Sequence, residues 1–383
     1  MNLLQLNKFY HPEIGGIEQV VRALAEGMSR RGHTSRVLVS TPQGQGSRDS
    51  IADVPVMRTS SFGVAKSVPL SPTYPVRLYQ ASRNVDVIHH HLPNPLSVAS
   101  HLVNPRTDTK TVVTYHSDIV RQQTALKVYG PFLNRFLESV NHIFVTSPRL
   151  LDKSTQLQPY RDKASVVPLS IRLEHYQPGE TESIELPIED ERPMLLFVGR
   201  LNYYKGVEYL IDAMRSINAN LIIVGDGERR KNLEKRAKHL EIDDRVFFMG
   251  HIDESRLHAC YDRADLFVLP SVEPSEAFGI VQLEAMAYHT PVVNTDLPTG
   301  VPWVSLDGKT GRTVSPGEVG ELASAISELL DNDEMRAVYA KNARERVERL
   351  FTREQMLNTM ESRYRAIIEE DTDRISEYSP LEM

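Results

Sequence analysis

Short apolar runs alternate with amphipathic stretches along almost the whole chain, and this rhythm restricts the fold more than any other feature. Apolar runs of roughly 4–8 residues read as buried strands, and segments with apolar residues every three or four positions read as helices. In the first half, MNLLQLN is followed by the glycine loop HPEIGG and then by IEQVVRALAEGMSRRG. There Ile17, Val20, Val21, Leu24 and Met28 form one helical face and Gly32 marks the stop. SRVLVS, VDVIHHH, KTVVTYH, HIFVTS and ASVVPLS read as further strands, most of them ending in polar residues. Strands separated by helices give βαβ units and a parallel sheet, whose functional loops follow the strand C-termini.

GETESIELPIEDERP (179–193) is polar, acidic and proline-flanked, and reads as a linker. Beyond it the alternation restarts: MLLFVGR, NLIIVGDG, RVFFMG, LFVLPS and PVVNT as strands, with GVEYLIDAMRSI, RRKNLEKRAKHL, DESRLHACYDRA and GIVQLEAMAYH as helices. TREQMLNTMESRYRAIIEE reads as a last helix. A length of 383 residues exceeds one ordinary domain. The expectation is an α/β protein of two doubly wound, Rossmann-like domains, spanning 1–180 and 190–352, with a ligand cleft where such domains face each other.

Composition narrows the function. A formal net charge of −7 gives no support to nucleic-acid binding, which usually shows a basic excess. The single cysteine, Cys260, cannot form an internal disulfide and suits a reducing compartment. The first residues lack the basic-then-apolar pattern of a signal peptide, and no apolar run approaches the roughly 20 residues that span a bilayer. The expected location is cytoplasmic, with membrane contact at most peripheral, on the inner face.

Four places carry candidate chemistry. Gly15 and Gly16 stand between a strand and a helix, where the backbone can approach a ligand and the helix N-terminus attracts anions; a plain tight turn is the competing reading. Arg200 and Lys205 flank the end of the strand in FVGRLNYYKG, well placed to neutralise a diphosphate, although charges on a loop are often only solvated. His116 ends the strand of TYHSD and can donate a hydrogen bond to a hydroxyl or phosphate; a structural histidine is the competing reading. The neighbouring HHH (89–91) points to alternate faces of its strand and cannot converge on one metal ion, which leaves His91 and Asn94 as residues lining the cleft.

The fourth place is PSVEPSEAFGIVQLEAMA (270–287). A helix expected to begin at about Gly279 leaves the backbone N–H groups of Phe278, Gly279 and Ile280 free for a phosphate or a hydroxyl-rich ligand. Glu276 precedes that helix, and Glu284 lies inside it among Val281, Leu283, Ala285, Met286 and Ala287. Capping and an exposed helix face are the competing readings, the second disfavoured by those apolar neighbours.

The glycine loop, VGRL…KG, VGDG (224–227) and the pair Glu276…Glu284, in this order, resemble the retaining glycosyltransferases of family 4, which have the GT-B fold. The resemblance covers nearly the whole chain and implies that the last helix, at about 353–370, packs back on the first domain. It implies Gly15 and Gly16 against the donor diphosphate, Arg200 and Lys205 holding its charge, and Glu276 accepting donor-sugar hydroxyls. Phe278, Gly279 and Ile280 would supply backbone donors, Glu284 would bind the ribose, and His116 would contact the donor sugar near the reacting carbon. No obligatory metal and no cofactor beyond the nucleotide-sugar substrate are implied. The implied partners are a nucleotide sugar and a glycan or polyprenyl-linked acceptor.

The sequence departs from that pattern at PLSIR (168–172), where Arg172 replaces a common acidic residue. NTDLPTGVPWVS (294–305) is similar to a subset acting in surface-polysaccharide assembly, often with GDP-mannose. A nucleotide-sugar epimerase of the same fold and a non-catalytic nucleotide-sugar-binding protein are the alternatives. Acceptor recognition is expected in loops 41–75 and 117–130. Helix 124–140, with Lys127 and Arg135 beside apolar residues, reads equally as membrane contact or as core.

Overall fold

Both runs of alternating segments fold into parallel sheets covered by helices. A computed structural model of the chain describes residues 1–13, 15–104, 109–118, 123–179, 186–188 and 190–371, without the side chains of 123–128. Ile14 of the glycine loop, residues 119–122, Lys127's side chain and linker residues 180–185 and 189 thus lie outside the described set. The chain divides into two units, 1–169 with 354–383, and 170–353.

The first unit holds β1 (Asn2–Leu6), β2 (Thr34–Ser40), β3 (Arg48–Ile51), β4 (Val54–Thr59), the short β5 (Val64–Ala65) and β6 (Val68–Pro69), β7 (Val87–Leu92), β8 (Lys110–Tyr115), β9 (His142–Val145) and β10 (Ala164–Val166). Among the described residues its sheet runs β10-β9-β8-β7-β1-β2-β4-β3, parallel except where β3 meets β4, while β5 and β6 form a separate hairpin. The second unit holds β11 (Met194–Val198), β12 (Asn220–Val224), β13 (Val246–Gly250), β14 (Leu266–Leu269), β15 (Val292–Thr295) and β16 (Gly311–Val314). They run in the parallel order β13-β12-β11-β14-β15-β16. Strand order reverses between β1 and β7 in one sheet and between β11 and β14 in the other. At such switch points the loops after neighbouring strands diverge and leave room for a ligand.

Two expectations about boundaries need correction. The first domain ends at 169 rather than 180, because residues 170–179 are bonded into the second unit. Ile171 exchanges backbone hydrogen bonds with Phe351 and Arg353, and the Gly179 N–H donates to the Asp262 carboxylate at 3.1 Å. Segment 41–75, expected to be loop, supplies sheet strand β4, whose Val54, Val56 and Thr59 are buried.

The helix Arg353–Glu369 belongs to the first unit. Its Met356, Leu357, Met360, Tyr364 and Ile367 are buried with Leu3, Val20, Leu24, Met28, Val87, Val112 and Phe144. Each such large side chain contributes about 1.5–3 kcal/mol on burial. A Cβ at Gly27 would stand 2.5 Å from Leu357 Cδ2, so the two helices approach closely only because Gly27 has none. In the helix Gln123–Ser139, Leu133, Phe136 and Leu137 are core residues, while Phe132 is exposed.

Candidate active site

In the second unit the strand-end loops are pressed together by their glycines. A Cβ on Gly225, at φ +123°, would lie 2.1 Å from the Gly199 carbonyl oxygen, and one on Gly206, at φ +63°, would lie 2.1 Å from that of Pro270. VGRL…KG and VGDG are therefore the interlock between the loops after β11, β12 and β14. This packing delivers Lys205 to Glu276, with Nζ 2.5 Å from Oε2. Both residues are under a tenth exposed, and Ser271 Oγ also donates to Glu276 Oε2 at 3.0 Å. A buried carboxylate and ammonium persist because each neutralises the other. Arg200, at the end of β11, is exposed, and its guanidinium meets no acceptor among the described residues.

The following helix spans Val281–Ala287, so it begins two residues after the expected Gly279. Gly279 has φ +69°, and a Cβ there would lie 2.6 Å from Leu269 Cδ2, which requires glycine and ends the helix on that side. The backbone N–H groups of Phe278, Gly279 and Ile280 take no acceptor among the described residues. Phe278's ring faces inward, edge-on to Trp303 and Phe351, and anchors the loop whose backbone is left available. Glu284 is partly buried and not free: the Tyr261 hydroxyl donates to its Oε2 at 2.7 Å and the Tyr176 hydroxyl also bonds it. Burial raises its carboxyl pKa, and the two phenol hydrogen bonds oppose the rise.

In the first unit, Gly15 caps the helix Gly16–Arg30 in extended conformation, and Gly16 is exposed, with nothing within 4 Å of a Cβ placed on it. Packing therefore does not demand glycine at 16, and an open approach to the backbone is what its absence of a side chain provides. His116 is buried at the end of β8, with Nε2 3.1 Å from Nδ1 of His91.

Hydrogen-bond directions fix the tautomers. Gln5 Nε2 donates to the Tyr364 hydroxyl at 3.3 Å, so its Oε1 faces His91 Nε2 at 3.0 Å and must accept a proton from it. His91 Nδ1 is then an acceptor, His116 Nε2 carries the proton, and His116 Nδ1 is left as a lone pair without a partner among the described residues. On the other arm Tyr364 donates to His89 Nδ1 at 2.6 Å, and His89 Nε2 donates to Thr114 at 2.7 Å. Burial pushes both His89 and His116 down to about 3, so the network is neutral at neutral pH.

This corrects two expectations. His116 was expected to donate to a ligand; in the tautomer this network favours, its Nδ1 is an acceptor. His91 and Asn94 were expected to line a cleft, yet His91 is wholly buried with both ring nitrogens engaged, and Asn94 caps the helix Pro95–Leu102 by accepting from the Ser97 N–H. The alternation of HHH holds: His89 and His91 stack on one face, while His90 packs against His101 and Phe136 on the other. Among the described residues no group of three His, Cys, Asp or Glu side chains could hold a metal ion, and no helix is long and apolar enough to cross a membrane.

Of the residues singled out from sequence, the fold joins Lys205 to Glu276, sets Arg200 and the 278–280 backbone on loops at the same sheet edge, and places Glu284 in a tyrosine clasp. Gly15, Gly16 and His116 belong to the first unit. Sequence reasoning missed Ser271, Tyr176, Tyr261 and the Gln5–His91 support of His116. Only Gln5 carried a local signal, a polar residue inside the apolar strand MNLLQLN. NTDLPTGVPWVS acts as an internal staple: Asn294 Nδ2 donates to Gln282 Oε1 and to the carbonyls of Val301 and Ser305.

The chain is similar to known proteins over most of its length. Residues 14–175 match the family described as Glycosyltransferase Family 4, and residues 179–346 match Glycosyl transferases group 1. The O-antigen chain mannosyltransferase C of Escherichia coli is 31% identical, the match covering 96% of this chain and 99% of that protein. The D-rhamnosyltransferase WbpZ of Pseudomonas aeruginosa is also 31% identical, over 92% of each chain. Among solved structures, Anabaena Alr3699/HepE in complex with UDP-glucose aligns with a TM-score of 0.74 at 22% identity, covering 94% of this chain and 98% of that one. The last comparison speaks for the fold alone, whereas the first two, running nearly end to end, place the chain in a family: it is a family 4-like glycosyltransferase with the GT-B fold.

Proposed function

We propose that the protein transfers a hexose, mannose in the favoured case, from a nucleotide-diphosphate sugar to a glycan or polyprenyl-linked glycan, with retention of anomeric configuration. The observation that carries this reading is the buried Lys205–Glu276 pair at the switch point of the second unit, beside the unpartnered N–H groups of 278–280 and the exposed Arg200. Arg200, Lys205 and the backbone donors form a fixed positive field for a departing diphosphate, so the chemistry needs no obligatory metal. Glu276 offers its remaining acceptor capacity to sugar hydroxyls, and Glu284 exchanges a tyrosine hydroxyl for the ribose. His116 accepts from a sugar hydroxyl through Nδ1, and Gly16 gives the diphosphate an unobstructed backbone approach. The leaving phosphate itself helps take the acceptor's proton on the retained face.

The name of one near-full-length relative, an O-antigen chain mannosyltransferase, supports a role in surface-polysaccharide assembly with mannose as the sugar, and GDP-mannose is the favoured donor. The equal identity of the two near-full-length relatives, named for different sugars, means that identity alone does not choose the hexose. The test incubates the protein with GDP-mannose, UDP-glucose and UDP-N-acetylglucosamine, with and without lipid-linked and free glycan acceptors, and reads the product anomer by NMR. Acceptor-dependent donor loss with a retained anomer is expected. Epimerised sugar released without an acceptor, or binding without turnover, would overturn the transfer reading.

A further inference from the structure

Five of the eight large apolar side chains that stand exposed among the described residues fall within one short segment: Phe62, Val64, Leu70, Val76 and Tyr79. Phe62 is 80% exposed. Phe62, Val64 and Leu70 sit on the β5–β6 hairpin, whose base is closed by the Phe62 N–H donating to the Leu70 carbonyl at 3.0 Å and the Leu70 N–H donating to Gly63 at 2.9 Å. Val76 and Tyr79 follow on the helix Tyr74–Ala81.

A second observation concerns charge. Residues 54–85 contain no Asp or Glu, although at the chain's average density about four would be expected, and they carry Arg58, Lys66, Arg77 and Arg83. A third is a polar pocket of about 230 Å³ at the foot of the hairpin, lined in part by Arg48, Arg58, Arg77, Ser47, Ser60 and Thr73. Arg58 is engaged by Asp49 and the His11 carbonyl, while Arg48 and Arg77 are exposed.

We propose that residues 62–79 are a membrane-docking surface for bilayers rich in anionic lipid. Phe62, Val64 and Leu70 enter the headgroup boundary, and the arginine-lined pocket receives a lipid phosphate. Exposed apolar area alone would fit any apolar partner. The excess of exposed cations, with Asp49 taken up by Arg58 and no acid from 54 to 85, selects an anionic sheet of charge, and it disfavours a second copy of the chain, because a two-fold contact would set each basic face against itself. The hairpin's paired backbone permits shallow insertion without orphaned polar groups at its base. The inference stands independently of the donor and acceptor assigned above.

Co-sedimentation of the full chain with vesicles tests it, using phosphatidylcholine alone and phosphatidylcholine mixed with phosphatidylglycerol. Binding to the mixed vesicles and not to the neutral ones is expected. The pair Phe62→Ser and Leu70→Ser lowers partitioning by about tenfold or more. Lys66→Ala and Arg77→Ala lower it by about fivefold for each cation removed, the factor equivalent to about 1 kcal/mol per cation at an anionic leaflet. All four side chains are exposed, so thermal unfolding and nucleotide binding should stay as in the parent protein, which separates lost docking from lost folding. Failure of the parent protein to bind mixed vesicles, or unchanged partitioning of both variant pairs, would overturn the proposal. So would a dimer in light scattering that Phe62→Ser with Leu70→Ser dissolves, since the patch would then be a contact between copies.

Discussion

The two units bury polar groups at corresponding strand ends in opposite ways. The first unit buries uncharged ones: His89, His91, His116, Gln5 and Tyr364 satisfy one another through directed hydrogen bonds, and no formal charge is needed. The second buries charges, Lys205 against Glu276, and leaves Arg200 exposed beside them. A neutral network discriminates hydroxyl groups by geometry, whereas buried and exposed cations answer a diphosphate's charge. Each prediction below strikes one side of that contrast.

The largest effect belongs to the ion pair. Lys205→Met or Glu276→Gln alone disrupts the buried pair, and Lys205→Met leaves a carboxylate uncompensated, costing about 3–5 kcal/mol of stability. The double substitution removes both charges and recovers most of that loss, while transfer activity stays absent in all three variants. Urea unfolding of the four proteins beside donor turnover makes the check. A double variant that turns over donor would show that the pair is scaffold and not site.

Acid should separate the units next. A histidine whose folded pKa lies below its unfolded value of about 6.5 contributes stability that is complete above pH 6.5 and is lost as pH falls toward the folded value. His89, His116 and His142 of the first unit are each pushed down to about 3 by burial. Each therefore gives up about 1.4 kcal/mol for every pH unit below 6.5. The only tryptophan of the chain, Trp303, lies in the second unit and reports on it separately. Between pH 6.5 and 5, far-UV circular dichroism should fall before Trp303 fluorescence changes. Coincident transitions at every pH would erase the distinction.

Arg200→Ala should show the reverse profile of Lys205. Being exposed and without an acceptor, the side chain can be removed with a stability change within about 0.5 kcal/mol. Donor affinity should weaken by about 1.5–3 kcal/mol, the range of a charge-assisted hydrogen bond. Calorimetric titration with the nucleoside diphosphate measures it, and unchanged affinity would remove Arg200 from the site.

Much of this contrast was legible in the sequence, and the gaps have physical reasons. Period and polarity reveal strands buried on both faces, so β1, β7, β8, β11, β12 and β14 were visible, and with them the strand ends that carry His116, Arg200 and Glu276. Strand β4, second from the sheet edge, mixes buried with exposed and half-buried residues and contains Pro55, which hides it in what reads as a loop. The meeting of Lys205 with Glu276 depends on Gly206 fitting against Pro270, a contact between loops far apart in the chain. Gln5 and Tyr364 are separated by 359 positions, and no local pattern announces their bond. The candidate residues were readable; the partners that hold them were not.

The smallest and most specific prediction concerns Gln5. Gln5→Leu leaves the His91 Nε2 proton without its acceptor, at a cost of about 1–3 kcal/mol for a buried donor unsatisfied. His91 relieves that cost by moving its proton to Nδ1, from which it donates to His116 Nε2. His116 must then carry its own proton on Nδ1, so the nitrogen left open changes from acceptor to donor. Ring-nitrogen NMR should find His116 protonated on Nε2 in the parent protein and on Nδ1 in Gln5→Leu. Turnover should fall more than stability alone accounts for, because the open nitrogen no longer accepts from a hydroxyl. A parent protein already protonated on Nδ1 would reverse the direction of the whole relay and with it the role of His116 as acceptor.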